Sequence, residues 1–186
     1  MISAEPIPYL TEQDYLEGEK VAEVKHEYYD GQVYAMAGAS DGHELVALNF
    51  ATTLVSHMRG KGCRVYKSDM KLRLMFRGKP LFYYPDVMVA CDPAEAHPLY
   101  REHPKLIVEV LSKNWKKDTV EKAAIYTSIP TLEEYVIFDP KPEAPKVHIS
   151  RRADGWEPVE TVRGMSAEFT LHSIALTLKV ADLFAV

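Results

Sequence analysis

The sequence predicts a mixed β-sheet flanked by helices, an α/β (α+β) fold, and three observations predict it. The run "KLIVEVL" (Lys105–Leu111) is apolar on both strand faces, as in a central strand covered from two sides. Between Gly42 and Arg59, Val46, Phe50 and Leu54 recur at helical spacing. Helical and strand patterns are interspersed along the chain, and no low-complexity linker, fixed-period repeat or composition break divides it, so residues 1–186 read as one domain.

Taken in order, Thr11 caps a short helix with Asp14 three residues on, and "KHEYYDGQVYAMAG" forms a hairpin around Asp30-Gly31. The amphipathic helix from Gly42 closes at Gly60. "CRVYKSDMKLRLMF" and "LFYYPDVMVAC" follow as two strands separated by the turn "RGKP". After the strand "KLIVEVL" comes a helix from about Lys117 to Ser128, stopped by Pro130, then the strand "EEYVIFD". A second hairpin, "KVHISRRADGWEPVETV", turns at Asp154-Gly155.

The 186 residues, 47% hydrophobic with mixed charge, suit a globular chain able to bury its own core. No apolar run approaches the ~20 residues that cross a bilayer, and "MISAEPIPYLTEQDYL" lacks a basic segment followed by an apolar one. A cytoplasmic protein with no membrane partner is expected. Cys63 and Cys91, outside any C-x-x-C spacing, read as free buried thiols.

A net charge of −5 argues against broad, phosphate-neutralising attachment to nucleic acid. Any such contact must be local, and Lys113, Lys116 and Lys117 in one loop, or Arg59, Lys61 and Arg64 in another, could supply it. Solvated loop charge is the simpler reading of each cluster alone.

Two carboxylates stand out. Glu109 shares a strand face with Ile107 and Leu111, while Leu106, Val108 and Val110 face the other way. Asp86 repeats the anomaly in "PDVMVA", on the face of Tyr84, Met88 and Ala90, and Pro85 places it where the strand begins or bulges. An isolated ionised carboxylate in such surroundings costs several kcal/mol or takes up a proton. One divalent cation would relieve both, and oxygen-only ligands suit Mg²⁺ or Mn²⁺. On the following helix Asp118 and Lys122 are four apart, in line with Ile125 and Ile129, and should lean toward the protein. Each also has a plain structural reading: an acid satisfied at a strand end, or a surface ion pair of about 0.3–0.5 kcal/mol.

"YPDV", "PKLIVEVLS" and "KKDTVEKAAIYTSIPTLEEYVIFDP" in that order, with "HEYYDGQVYAMAGAS", His43 and Asn49 upstream, resemble the PD-(D/E)XK nuclease superfamily and its Uma-type bacterial branch. The resemblance implies a restriction-endonuclease-like fold with N-terminal and C-terminal β-hairpin additions, and a Mg²⁺-dependent (or Mn²⁺-dependent) endonuclease acting on DNA. Asp86 matches the first acid and Glu109 the second, both as metal ligands, with the Val110 carbonyl completing the set. The lysine expected two residues after Glu109 is replaced by Leu111. In this branch it comes from the next helix, here Lys122, with Lys113 as a rival.

"SKNWKKD" also departs from the branch's usual Ser-Pro-rich turn. Glu27 matches an additional acid brought from the hairpin, or else pairs with Lys25 or solvent. His43 matches a polar position, or else packs or caps its helix. Glu134 and Tyr135 read as structural, and Lys113, Lys116 and Lys117 as substrate contacts. A homodimer is expected, since many enzymes of this fold pair two sites to cut two strands. Two further readings stay open: a non-catalytic nucleic-acid-binding or protein-interaction module on the same fold, and a nuclease for RNA or branched substrates.

Overall fold

Thr11 caps the first helix, its hydroxyl accepting the Asp14 backbone N–H at 3.1 Å, and α1 (Glu12–Glu19) follows. The computed structural model describes residues 9–95, 97–112 and 115–185, with the backbone alone for 115–120. Strands β1 (His26–Tyr29) and β2 (Gln32–Ala35) make the expected hairpin, with Asp30 at φ 45° and Gly31 at φ 83° in its turn. Two successive positive φ values match the twist of the flanking strands, and a Cβ on Gly31 would also collide with the Tyr9 ring. Helix α2 (Asp41–Met58) is capped by Ser40, whose hydroxyl accepts the His43 N–H, and it ends ahead of Gly60 at φ 77°.

The two long runs that follow each divide between two sheets, where the sequence reading gave two continuous strands. The first splits into β3 (Arg64–Lys67) and β4 (Lys71–Phe76), with Ser68 at φ 50° between them. The second splits into β5 (Lys79–Tyr83) and β6 (Val87–Ala90), with Pro85 and Asp86 in the gap. The breaks lie side by side, because the Ser68 N–H donates to the Asp86 carbonyl at 3.1 Å. Pro85 has no N–H for a ladder, so the chain changes sheet where a ladder bond is already missing.

Short β7 (Tyr100–Arg101) runs parallel to β4, and β8 (Pro104–Val110) is the predicted central strand. Helix α3 (Trp115–Tyr126) starts and stops two residues earlier than the sequence suggests. Strands β9 (Glu134–Asp139), β10 (Lys146–Arg151) and β11 (Glu160–Arg163) follow, the last two as the second hairpin. The sequence reading missed a third hairpin, β12 (Glu168–Leu171) with β13 (Leu176–Lys179).

One sheet has the order β2-β1-β5-β4-β7 and the other β11-β10-β9-β8-β6-β3, with β8 antiparallel to β6 and parallel to β9. Parity in β8 divides the core as expected. Leu106, Val108 and Val110 meet Val46, Phe50 and Leu54 of α2 together with Phe169 and Leu171 of the last hairpin. On the opposite face Ile107 joins Ile125 and Tyr126 of α3 and Leu72, Leu74 and Leu81 of the smaller sheet. Helix α1 covers that sheet's far side, with Tyr15 and Leu16 against Tyr28 and Phe82.

Cys63 and Cys91 are not the free thiols expected but a disulfide. The antiparallel register that sets Arg64 opposite Ala90 brings the two residues on either side of it together, with their Cα atoms 4.0 Å apart. A spacing of 28 residues carries no hint of that pairing.

Glu134 is structural, as read. Its carboxylate, 1% exposed, accepts Arg151 Nε at 2.8 Å, the His172 and Ser173 N–H groups at 2.9 and 2.8 Å, and the Ser173 hydroxyl at 2.6 Å. It thereby ties the last hairpin to β9 and β10. Asn49 fastens the C-terminal segment by donating to the Leu183 and Ala185 carbonyls.

Candidate active site

The carboxylate of Glu109 lies on the Ile107 face of β8, under α3, and the residue is 5% exposed. The Tyr126 hydroxyl donates to its Oε1 at 2.8 Å, Lys122 Nζ stands 3.6 Å from the same atom, and the Asp86 N–H reaches Oε2 at 3.4 Å. Burial pushes the Glu109 carboxyl up to about 8, against the downward pull of the Lys122 ammonium, and the Asp86 charge pushes it the same way as burial.

Asp86 sits in the bend before β6. The ladder parity that would pair it with Met88 therefore does not govern its side chain. Its Oδ2 accepts the Val110 N–H at 2.7 Å and lies 3.0 Å from His43 Nε2. The hydrogen bond to the Asp86 carboxylate raises the His43 pKa, against the opposing effect of burial. His43 Nδ1 is buried with no hydrogen-bond partner among the described residues.

Helix α3 delivers Lys122 because Ile125, Tyr126 and Ile129 are buried between the sheets and fix its rotation. Lys122 Nζ lies 3.0 Å from Glu27 Oε1 and 5.4 Å from the Tyr83 ring centroid, and its side chain is 13% exposed. Glu27 comes from β1, directly opposite Tyr34 of β2.

The structure thus brings Asp86, Glu109, Lys122, Glu27 and His43 together around the C-terminal end of β8. Val110 donates its N–H to Asp86, and its carbonyl, named from the sequence as a metal ligand, stands at the same strand end. The rival Lys113, and the side chains of Lys116, Lys117 and Asp118, lie outside the described residues. Sequence reasoning missed Tyr126. The available signal was its place one turn after Lys122 on the same helical face.

The raised Glu109 pKa has a measurable consequence. A folded state that holds a proton which the unfolded chain has released loses stability as pH rises, here from about 4.5 toward about 8. Metal-free protein is therefore expected to lose stability relative to Glu109→Gln over that range, with a slope approaching about 1.4 kcal/mol per pH unit. Denaturant titrations of both proteins at several pH values measure it, and parallel profiles would refute the shift.

Two acids and a lysine at the end of the central strand of a mixed sheet make a restriction-endonuclease-like arrangement. The chain belongs to the Uma2 family, described as "Putative restriction endonuclease", whose match spans residues 12–180. Two Synechocystis proteins are similar to it. "Uncharacterized protein slr1290" is 34% identical over 134 residues, covering 71% of this chain and 70% of its own. "Uncharacterized protein sll1609" is 32% identical, covering 70% and 75%. A crystal structure of "a putative nuclease belonging to DUF820" from Anabaena variabilis superposes with a TM-score of 0.67 at 19% identity, over 88% of this chain and 91% of that one. That likeness shows the fold. No helix among the described residues is long and apolar enough to cross a membrane.

Proposed function

We propose that this chain is a metal-dependent endonuclease that hydrolyses phosphodiester bonds of DNA. The observation that carries the reading is the meeting of Asp86, Glu109 and Lys122 at one strand end, in a member of the Uma2 family.

The donor set fits Mg²⁺ or Mn²⁺. Mg²⁺ commonly takes only one or two carboxylates and keeps its waters, and here two carboxylates adjoin, one of them buried with its pKa raised by that burial. Asp86 and Glu109 would hold it, and the bound cation supplies Lewis-acid stabilisation of the phosphate and a more acidic water.

The protein's own groups do the rest. Lys122 offers an ammonium to the charge that develops on the phosphate oxygens during attack. Glu27 holds that ammonium in place. Tyr126 orients Glu109, while His43 and the Val110 N–H orient Asp86, so both acids are positioned before substrate arrives.

The test is cleavage of a plasmid and of labelled oligonucleotides with and without Mg²⁺ or Mn²⁺. DNA is expected to be cut only with metal, and Asp86→Asn is expected to lose the activity while keeping its circular dichroism spectrum. Cleavage that survives chelation or Asp86→Asn would refute the assignment. Cleavage of RNA alone would move the substrate, and absence of any cleavage would favour the non-catalytic module.

A further inference from the structure

A cavity of about 500 Å³ adjoins the hydrolytic cluster and shares Lys122 and Glu27 with it. Glu27, Tyr29, Tyr34, Phe76, Tyr83 and Lys122 are among its lining. Strand register puts the aromatic wall on one face of the smaller sheet. Glu27 pairs with Tyr34, Tyr29 with Leu81, Leu74 with Leu81 and Leu72 with Tyr83, so alternation sets all four rings on the side facing α3. Tyr34 is 49% exposed on the edge strand β2.

We propose that this cavity takes one unpaired nucleobase of the substrate strand, so that the site acts on single-stranded or locally unpaired DNA in preference to intact duplex; the proposal rests on the nuclease reading. The volume lies within the range of small-molecule pockets and is ample for a base with its sugar. Aromatic walls stack any base through its π-face, which requires the base to have left the helix. Glu27 and Glu121, both in the lining, are acceptors for exocyclic amines and ring N–H groups. Arg77, whose guanidinium lies 5.1 Å from the Phe76 ring centroid, supplies a cation for a neighbouring phosphate. Lys122 belongs both to this lining and to the hydrolytic cluster, so a base held in the cavity places the adjoining phosphate near the acids. The pocket thereby selects strand state with no reading of sequence.

The experiment compares binding, by fluorescence anisotropy with Ca²⁺ in place of Mg²⁺, of a labelled twelve-thymidine strand and an equally long strand of abasic tetrahydrofuran residues. The abasic strand keeps the phosphates and lacks the bases. The native protein is expected to prefer the thymidine strand on the order of tenfold, the scale of one base–aromatic stack. Tyr34→Ala, a change at an exposed position, and separately Phe76→Ala, are expected to remove most of that preference while leaving abasic binding within about twofold. Equal binding of both strands by the native protein, or an unchanged preference in both variants, would overturn the proposal. The comparison reads binding alone, so its failure counts against the pocket, whereas failure of the nuclease reading shows as absent cleavage with the base preference intact.

Discussion

Lys122→Met is expected to lower the single-turnover rate of DNA cleavage by roughly a hundred- to a thousandfold, the usual cost of removing one preorganised group that stabilises transition-state charge. Methionine keeps an unbranched apolar side chain of similar length but removes the ammonium that lies over the Tyr83 ring, so the loss is chiefly one of charge. Metal affinity should stay level or rise slightly, because the ammonium 3.6 Å from Glu109 Oε1 repels a cation from that carboxylate. This split separates Lys122 from the acids, whose loss should weaken metal binding and cleavage together. Lys113→Ala should leave cleavage within a fewfold of native. The reverse pattern, with Lys113 essential and Lys122 dispensable, would show that the motif's lysine is Lys113.

Glu134→Ala is expected to lower the unfolding free energy by about 3–5 kcal/mol, the range for breaking a buried ion pair from one side. The substitution strands the Arg151 guanidinium, 9% exposed, and leaves the N–H groups of His172 and Ser173 without their acceptor. Arg151 keeps Glu160 and the Thr170 carbonyl, which limits but does not cancel the loss. A contrast sits on the same hairpin. Glu168 and Lys179 pair at 3.8 Å with more than half of each side chain exposed, so Glu168→Ala should change stability by less than about 1 kcal/mol. Urea titrations of the two variants measure both effects, and similar small losses would show that Glu134 does not anchor the last hairpin.

What the sequence made legible was local. Asp30-Gly31 announced a turn, the apolar spacing from Gly42 to Gly60 announced a helix, and the both-faced apolarity of "KLIVEVL" marked β8 as central and Glu109 as misplaced. Pro85 marked the spot where Asp86 leaves the ladder. The division of two strand-like runs between two sheets was hidden, because each half carries the same apolar pattern and only the choice of partner strand separates them. The Cys63–Cys91 bond was hidden for the same reason, since it follows from the β3–β6 register.

The site followed the same rule. Asp86, Glu109 and Lys122 stood out by residue type and spacing. Glu27 and His43 stayed open, because nothing in the hairpin or the long helix says which strand end they approach. Tyr126 went unnoticed because a tyrosine in an apolar helical stripe looks like packing until the carboxylate beneath it is seen.

The most direct measurement of the central claim is an anomalous difference map from a crystal of the native protein soaked in Mn²⁺. The account predicts one strong peak bridged by the carboxylates of Asp86 and Glu109, at the end of β8 and within reach of Lys122, and its disappearance in Asp86→Asn crystals. A peak elsewhere, with the two carboxylates still bonded to their protein partners alone, would contradict it.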